Sequence, residues 1–355
     1  MDKKLVEVLS NFKINGNVLS VEPYGDGHIN RTYLAVYDNG KRYILQKMNN
    51  KVFADIDSLM NNIVYVTSHL KSKGIGTLDV VSTKDEKSYL TIDGEHYRVY
   101  DFIEDTISYN KVDDAKIFYN AGKAFGEFQS YLASFDATKL VETIPNFHNT
   151  TKRFESFIES LNSNLSGRKD NALEEIKFVL DRKDTYSKIV DGLKDGSIPL
   201  RVTHNDTKLN NIMMDAQSGE CRAIIDLDTI MPGSMLYDFG DSIRFGASSA
   251  LEDEKDLNKV HFVKELFTAY AEGFCNAVKS SITEKEAELL AYSAYLMTME
   301  CGMRFLKDYV DGDTYFATKY DEHNLIRCRT QFKLAKEIEE QMEELNTIVK
   351  DILTR

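Results

Sequence analysis

The chain of 355 residues contains no tryptophan, an absence that counts against, without excluding, an aromatic cage for a cationic ligand. Its four cysteines, Cys221, Cys275, Cys301 and Cys328, show neither CxxC nor histidine-rich spacing, so no zinc site and no disulfide framework is signalled. Scattered thiols suit a reducing cytosol, and a cytoplasmic location is expected. No run approaches the roughly 20 apolar residues of a membrane span. The start, Met1-Asp2-Lys3-Lys4-Leu5, lacks an apolar signal core. Positive charge is also short. With 44 basic and 57 acidic residues the net charge is −13, which argues against nucleic acid or an anionic membrane as partner.

What remains is the composition of a soluble globular protein, 42% hydrophobic and 28% charged. The length is too great for one ordinary core, so two domains are expected, residues 1–104 and 105–355. The first reads as strand-rich. Val18 to Tyr24 and Asn30 to Tyr37 flank a turn with Gly25 and Gly27, and Arg42 to Met48 follows. Residues Ala54 to Lys71 carry apolar side chains at helical spacing. Thr77 to Ser82, Ser88 to Ile92 and His96 to Ile103 read as further strands, with Asp93-Gly94 as the hairpin turn between the last two.

The second domain reads as mainly helical. Val112 to Ser134 has Gly122 and Gly126 one turn apart, which admits a neighbouring helix. Residues 151 to 195 suggest one or two helices, and Thr283 with Glu286 is a capping-box match opening a helix to about Tyr309. Phe332, Ala335, Ile338, Met342, Leu345, Ile348, Val349 and Ile352 form one stripe on a single carboxy-terminal helix. Core packing is its plain reading and a dimer seam the minority one, so a monomer or weak dimer is expected.

Chemistry concentrates in His204-Asn205-Asp206-Thr207-Lys208-Leu209-Asn210-Asn211 and in Ile225-Asp226-Leu227-Asp228. An acid five residues before an amide, with a second acid on a downstream strand, is the order that phosphoryl transfer requires. The carboxylate orients an attacking hydroxyl, and two oxygen ligands hold Mg2+ on the phosphates of ATP. The net negative charge is no obstacle, because metal ions bring compensating charge. Asn211 to Asp215 and Cys221 to Ile225 form a hairpin about Gln217 and Ser218. Its register sets Asn211 opposite roughly Ile224 to Asp226, where paired Cβ atoms lie about 4.5–5.5 Å apart. If the strand continues, Asp228 shares a face with Asp226 and could bind metal, contact substrate or support the loop. His204 is expected to anchor the loop backbone rather than act as the base.

Three blocks give the chain its resemblance. These are the run from His204 to Asn211, the run Ile225-Asp226-Leu227-Asp228-Thr229-Ile230-Met231-Pro232-Gly233, and Tyr237-Asp238-Phe239-Gly240-Asp241-Ser242-Ile243-Arg244. Together they resemble the aminoglycoside phosphotransferase and choline kinase superfamily, and within it the N-acetylhexosamine 1-kinase branch. The resemblance implies an α+β, protein-kinase-like, two-lobed fold with an antiparallel-sheet amino-terminal lobe and a mainly helical carboxy-terminal lobe. It implies transfer of the γ-phosphate of ATP to O1 of N-acetylglucosamine or N-acetylgalactosamine. Asp206 would be the catalytic acid, Asn211 and Asp226 the metal ligands, and Asp238 the brace of the catalytic loop.

Gly25 and Gly27 stand where a phosphate-covering loop would lie. His28 at its tip is either an exposed turn residue or, by resemblance, a sugar contact. Either Lys47 or Gln46 faces the phosphates. Tyr100 to Glu104, with Tyr100 and Phe102, reads as the hinge whose backbone amides meet adenine. Arg304 either pairs with Glu300 four residues earlier or, by resemblance, grips the sugar, with Tyr315 as a companion. The alternatives are a kinase of another small alcohol (an aminoglycoside, choline, homoserine or another sugar) and a non-catalytic binding module on the same fold.

Overall fold

The structure is a computed structural model that describes residues 2–25, 29–50, 52–112 and 114–355. The chain begins with α1 (Lys3–Leu9) and the strands β1 (Val18–Pro23), β2 (Arg31–Tyr37) and β3 (Arg42–Met48). After α2 (Ile56–Ser72) come β4 (Val80–Val81), β5 (Leu90–Ile92), β6 (Glu95–Asp101) and β7 (Thr106–Ile107). Helices α3 (Ala115–Leu132), α4 (Thr150–Ser163), α5 (Leu173–Leu180) and α6 (Lys188–Asp195) follow. Four short strands come next: β8 (Arg201–Thr203), β9 (Ile212–Asp215), β10 (Cys221–Ile224) and β11 (Met231–Gly233). The rest is helical, with α7 (Met235–Gly246), α8 (Lys264–Val278), α9 (Glu284–Asp311), α10 (His323–Glu340) and α11 (Met342–Thr354). The fold is therefore α+β, an antiparallel sheet early in the chain and helices late. No helix among the described residues is long and apolar enough to cross a membrane.

Two compact units result, and neither is contiguous. The first comprises Met1–Ile107, Thr138–Ile144 and Met213–Met231; the second comprises Ser108–Ala137, Pro145–Ile212 and Pro232–Arg355. In the first unit β1, β2, β3, β6 and β4 lie side by side, and β5 also pairs with β6. Strand alternation gives the sheet two different faces. Tyr43 and Leu45 of β3, with Tyr97 and Val99 of β6, join Leu5, Val8, Leu9 and Phe12 in one apolar core. Gln46 and Arg98, paired across the same two strands, belong to the other face. The Asp93-Gly94 turn has both residues at positive φ, 52° and 74°, as a two-residue hairpin requires. Asn62, buried on α2, draws distant chain into this unit. Its Nδ2 donates to the carbonyls of Val141 and Ile230, and its Oδ1 accepts the amide of Val141.

The second unit is organised on α9, which buries residues around its whole circumference and packs against α4, α7, α10 and α11. Thr283 and Glu286 form the expected reciprocal capping box at its start. Two expectations need correction. Residues 151 to 195 hold three helices with short 3-10 turns between them, and Asn164 in left-handed conformation stops α4. The single carboxy-terminal helix is two. Gln341, at φ −103° and ψ 7°, interrupts it, so that α10 packs on α9 while α11 covers both α8 and α9. The stripe itself is sound, with Phe332, Ala335, Ile338, Leu345, Val349 and Ile352 all buried within the chain.

Gly122 and Gly126 do permit a close helix approach. A Cβ on Gly122 would lie 2.2 Å from the Tyr270 carbonyl oxygen, and one on Gly126 would lie 2.7 Å from that of Phe274. The partner helix, α8, reciprocates with Gly273 against the Tyr119 carbonyl. Backbone cannot yield as a flexible side chain does. Gly122→Ala should therefore destabilise the fold by about 1–3 kcal/mol, seen as a lower urea midpoint at unchanged slope. A wild-type midpoint would refute the close approach.

Candidate active site

The loop between β8 and β9 is built on Asp238, a fully buried residue in the first turn of α7. Its Oδ2 accepts the amide of His204 at 3.0 Å and the Nε2 of Gln129 at 2.7 Å, while its Oδ1 accepts the amide of Asn205 at 2.8 Å. Burial raises its carboxyl above the usual range, and these donors and the nearby His204 oppose that rise. Asn205 is left-handed, with φ 67°, a conformation that a non-glycine residue holds only where its surroundings enforce it. Downstream, Thr207 gives its amide to Asp241 Oδ2 at 3.2 Å and its hydroxyl to the Asp238 carbonyl at 2.7 Å. Burial works against the charge on Asp241, but Arg244 and His148 outweigh it and hold its carboxyl below the ordinary range.

His204 is fully buried between Phe125 and Phe128, and its Nδ1 receives the Asp206 amide at 3.3 Å. The carboxylate of Asp206 stays partly exposed. Lys208 Nζ lies 2.9 Å from Oδ1, and Asn211 Nδ2 lies 3.3 Å from Oδ2 and 2.8 Å from the Asp206 carbonyl. With its nitrogen committed to Asp206, Asn211 offers Oδ1 as its remaining polar atom, an oxygen of the type a hard cation takes.

In the first unit the hairpin of β9 and β10 forms as expected, with the Asp215 amide donating to the Glu220 carbonyl at 2.8 Å. The strand does not continue to the acids. It ends at Ile224, Asp226 is left-handed at φ 57°, and Leu227 to Thr229 form a 3-10 turn. Asp226 and Asp228 therefore do not share a strand face. Asp226 is exposed and Asp228 is buried.

Asp228, one of the expected metal ligands, is committed elsewhere. Its Oδ2 accepts Asn30 Nδ2 at 2.6 Å, and its Oδ1 lies 2.5 Å from Arg98 Nη2. Arg98, 1% exposed, also donates twice to Gln46 Oε1, at 2.9 and 2.8 Å. Lys47, expected at the phosphates, is on the opposite face of β3 from Gln46, paired with Glu95 at 2.8 Å. The stretch expected to meet adenine begins inside the sheet. Tyr100 lies inside β6, paired with Ile44 and Val80, and the Phe102 amide donates to the Arg42 carbonyl at 3.2 Å. The Phe102 ring meets Tyr24 edge-on, with the Arg42 guanidinium 4.0 Å above it. Gly25 is left-handed, at φ 73°. Gly27 and His28 lie outside the described residues.

A cavity of about 270 Å³ in the second unit is lined by Arg153, Arg304, Lys307, Tyr315 and Phe316, among others. The expected Glu300–Arg304 ion pair does not form, because Glu300 is held by His148 at 2.8 Å and by Thr150 at 2.5 Å. The Arg304 guanidinium lies instead 5.5–5.9 Å from the rings of Phe147, Tyr315 and Phe316. The acids of this cavity are occupied. Asp308 accepts the amides of Thr314, Tyr315 and Phe316 at 2.8–2.9 Å. Asp311 takes Lys307 at 2.6 Å. Burial, and then the neighbouring Arg304, press the Arg153 guanidinium below its usual range.

Several of these residues escaped the sequence reading: Gln129, Asp241, Arg98, His148 and Lys208. Asp241 carried a usable signal, since it lies three residues after Asp238 on one helix. So did Arg98, a charge inside an otherwise apolar strand. Gln129 and His148 are remote in sequence and carried none.

Comparison with known proteins agrees with this arrangement. The model of the phosphotransferase enzyme family (APH) matches residues 20–274. An aminoglycoside phosphotransferase from Alicyclobacillus acidocaldarius superposes with a TM-score of 0.65 at 12% identity, over 97% of this chain and 96% of its own. The choline kinase of Cryptosporidium parvum gives 0.61 at 13% identity, over 100% of both chains. An amicoumacin kinase in complex with AMP-PNP, Ca2+ and Ami gives 0.60 at 15% identity, over 96% of this chain and 94% of that one. At such identities the structural likenesses speak for the fold, and the family match, covering most of the chain, places this protein in the phosphotransferase enzyme family.

Proposed function

We propose that the chain is an ATP- and Mg2+-dependent kinase that phosphorylates O1 of N-acetylhexosamines, N-acetylglucosamine or N-acetylgalactosamine, to the α-1-phosphate. The observation that carries this reading is the Asp206 loop. Asp206 keeps an accessible carboxylate on a backbone fixed by Asp238, Asp241 and His204, which is what a residue that orients an acceptor hydroxyl requires. Lys208 and Asn211 fix the direction of its two oxygens. A solved kinase of the same fold, in complex with AMP-PNP and Ca2+, supports a metal nucleotide as the donor. Bound here, the nucleotide supplies an electrophilic γ-phosphoryl group. Asn211 Oδ1 and the Asp226 carboxylate are the proposed metal ligands, and Asp228 serves as a support through Arg98 and Asn30.

The cavity of Arg304 and Tyr315 favours a neutral acceptor over a cationic one. The guanidiniums of Arg153 and Arg304 line it, and its aspartates are already occupied, Asp311 by the Lys307 ammonium. An aminoglycoside or choline would meet like charge there. Arg304 and Tyr315 are the proposed contacts to the sugar, with His28 as a further one.

Product NMR after incubation with N-acetylglucosamine and Mg-ATP tests the reading directly. Phosphorus coupled to the anomeric proton is expected. Rapid turnover of an aminoglycoside or of choline, with none of either hexosamine, would overturn the sugar assignment and leave a kinase of another alcohol.

Two acid substitutions separate metal ligand from support. Asp226→Ala should weaken Mg-nucleotide binding in calorimetry and leave the unfolding midpoint near wild type. Asp228→Ala strands a buried guanidinium and should cost about 3–5 kcal/mol of stability. The reverse pattern would exchange their roles. Asp206→Asn should bind nucleotide as the wild type does and lose about 10²-fold or more in kcat; full turnover in that variant would remove Asp206 from the mechanism.

A further inference from the structure

His148 stands just before α4, buried, with its ring at 5.2 Å from that of Tyr237. Both of its nitrogens face oxygen. Nδ1 lies 2.8 Å from Glu300 Oε1, and Nε2 lies 3.3 Å from the carbonyl oxygen of Asn205. A carbonyl only accepts, and so does an ionised carboxylate. Both contacts are hydrogen bonds only if the ring carries two protons.

We propose that His148 is a positioning residue of the phosphoryl-transfer loop: clamped as an imidazolium by Glu300, it holds the Asn205 carbonyl and thereby the left-handed turn that presents Asp206. The inference rests on the kinase reading for its catalytic consequence. Its geometry stands alone.

Glu300 is suited to the clamp. Burial opposes its charge, but His148 and the Thr150 hydroxyl outweigh burial and hold its carboxyl below the usual range. Its second oxygen, Oε2, accepts the Thr150 hydroxyl. The other charged groups near the pair are Asp241 on α7 and Arg153 on α4. Asp238 accepts the Asn205 amide, and His148 Nε2 meets the Asn205 carbonyl. The two together fix the peptide planes flanking a residue at φ 67°. Glu300 and Arg304 are one turn apart on α9, so the clamp also joins the loop to the helix that lines the cavity.

The test uses full-length protein labelled with 15N in histidine. One histidine, identified by its loss in His148→Phe, should show both ring nitrogens protonated at pH 7. A neutral ring at that position overturns the proposal. In His148→Phe, kcat should drop about 10- to 100-fold with the KM for Mg-ATP within about twofold of wild type, and exchange of the Asn205 and Asp206 amides should quicken. Unchanged kcat and exchange in a folded variant would also overturn it. Should His148→Phe fail to fold, Glu300→Gln removes the clamping charge and keeps the shape; its Asn205 and Asp206 amides should exchange faster than in wild type, and unchanged exchange counts against the proposal. If the wild type phosphorylates no acceptor, the kinase reading fails separately, because ring protonation and amide exchange need no turnover.

Discussion

The site depends on one buried carboxylate. Asp238 takes the amides of two successive loop residues, His204 and Asn205, and the side-chain amide of Gln129. Buried amides without an acceptor cost about 1–3 kcal/mol each, so the loop cannot leave this acceptor cheaply. The constraint is also directional. Two amides converging on one carboxylate require the chain to turn between them, and the turn puts Asn205 in the left-handed region. A conformation worth about 1–3 kcal/mol of strain is tolerated because its neighbours over-determine it. Asp206 comes next in sequence and inherits that rigidity. Its amide then meets His204 and its carboxylate meets Lys208 and Asn211, so little freedom remains to be lost when an acceptor hydroxyl arrives.

The first unit solves a different problem, that of keeping a positive charge on an inner sheet face. It uses an arginine on β6 and not the lysine of β3. A guanidinium presents several donors in a plane, and Arg98 uses them on Asp228 and on Gln46, with Met60 3.9 Å away. This explains why β3 carries a glutamine on that face: Gln46 Oε1 is an acceptor that a lysine there could not supply. It also gives both Asp228 oxygens a partner. The Asn30 side chain, bonded to Asp228 and to the Asn49 amide, brings the segment after the glycine turn into the same network. One buried ion pair thus ties together the inner sheet face, the turn after β10 and Asn30.

Local pattern carried much of this into the sequence. The capping box of α9, the Asp93-Gly94 turn, the β9–β10 hairpin and the close packing at Gly122 are features that neighbouring residues dictate, and each is present. Spacing within the His204–Asn211 run likewise placed Asp206 beside Asn211 in one loop. What escaped has a common cause. Which face of β3 looked inward depended on the partner strand, since both Gln46 and Lys47 sit plausibly in an alternating pattern until Arg98 is seen across from the former. Asp226 and Asp228 read as sharing a face because a strand was extended past the point where Asp226 turns left-handed. The break at Gln341 has neither proline nor glycine to announce it; it follows from the two helices it separates having different neighbours. A division drawn at one place along the chain could not show that Asn62 gathers residues near 141 and 230 into the first unit.

On the proposed reading the cavity holds the acceptor, and its basic lining then needs a reason. A cationic acceptor needs carboxylates with unused valence, whereas here Asp308 is spent on three consecutive amides and Asp311 on Lys307. The guanidinium of Arg304 rests among aromatic rings; on the proposed reading its edge donors meet the hydroxyl or carbonyl oxygens of the acceptor. A neutral N-acetylated sugar has such oxygens and brings no opposing charge. Its anomeric hydroxyl is also more acidic than an ordinary alcohol, and in a loose transition state its proton departs late. Such an acceptor asks Asp206 for accurate placement more than for strength as a base. That is the quality on which the loop spends its hydrogen bonds, from Asp238 below the turn to Lys208 and Asn211 at the carboxylate.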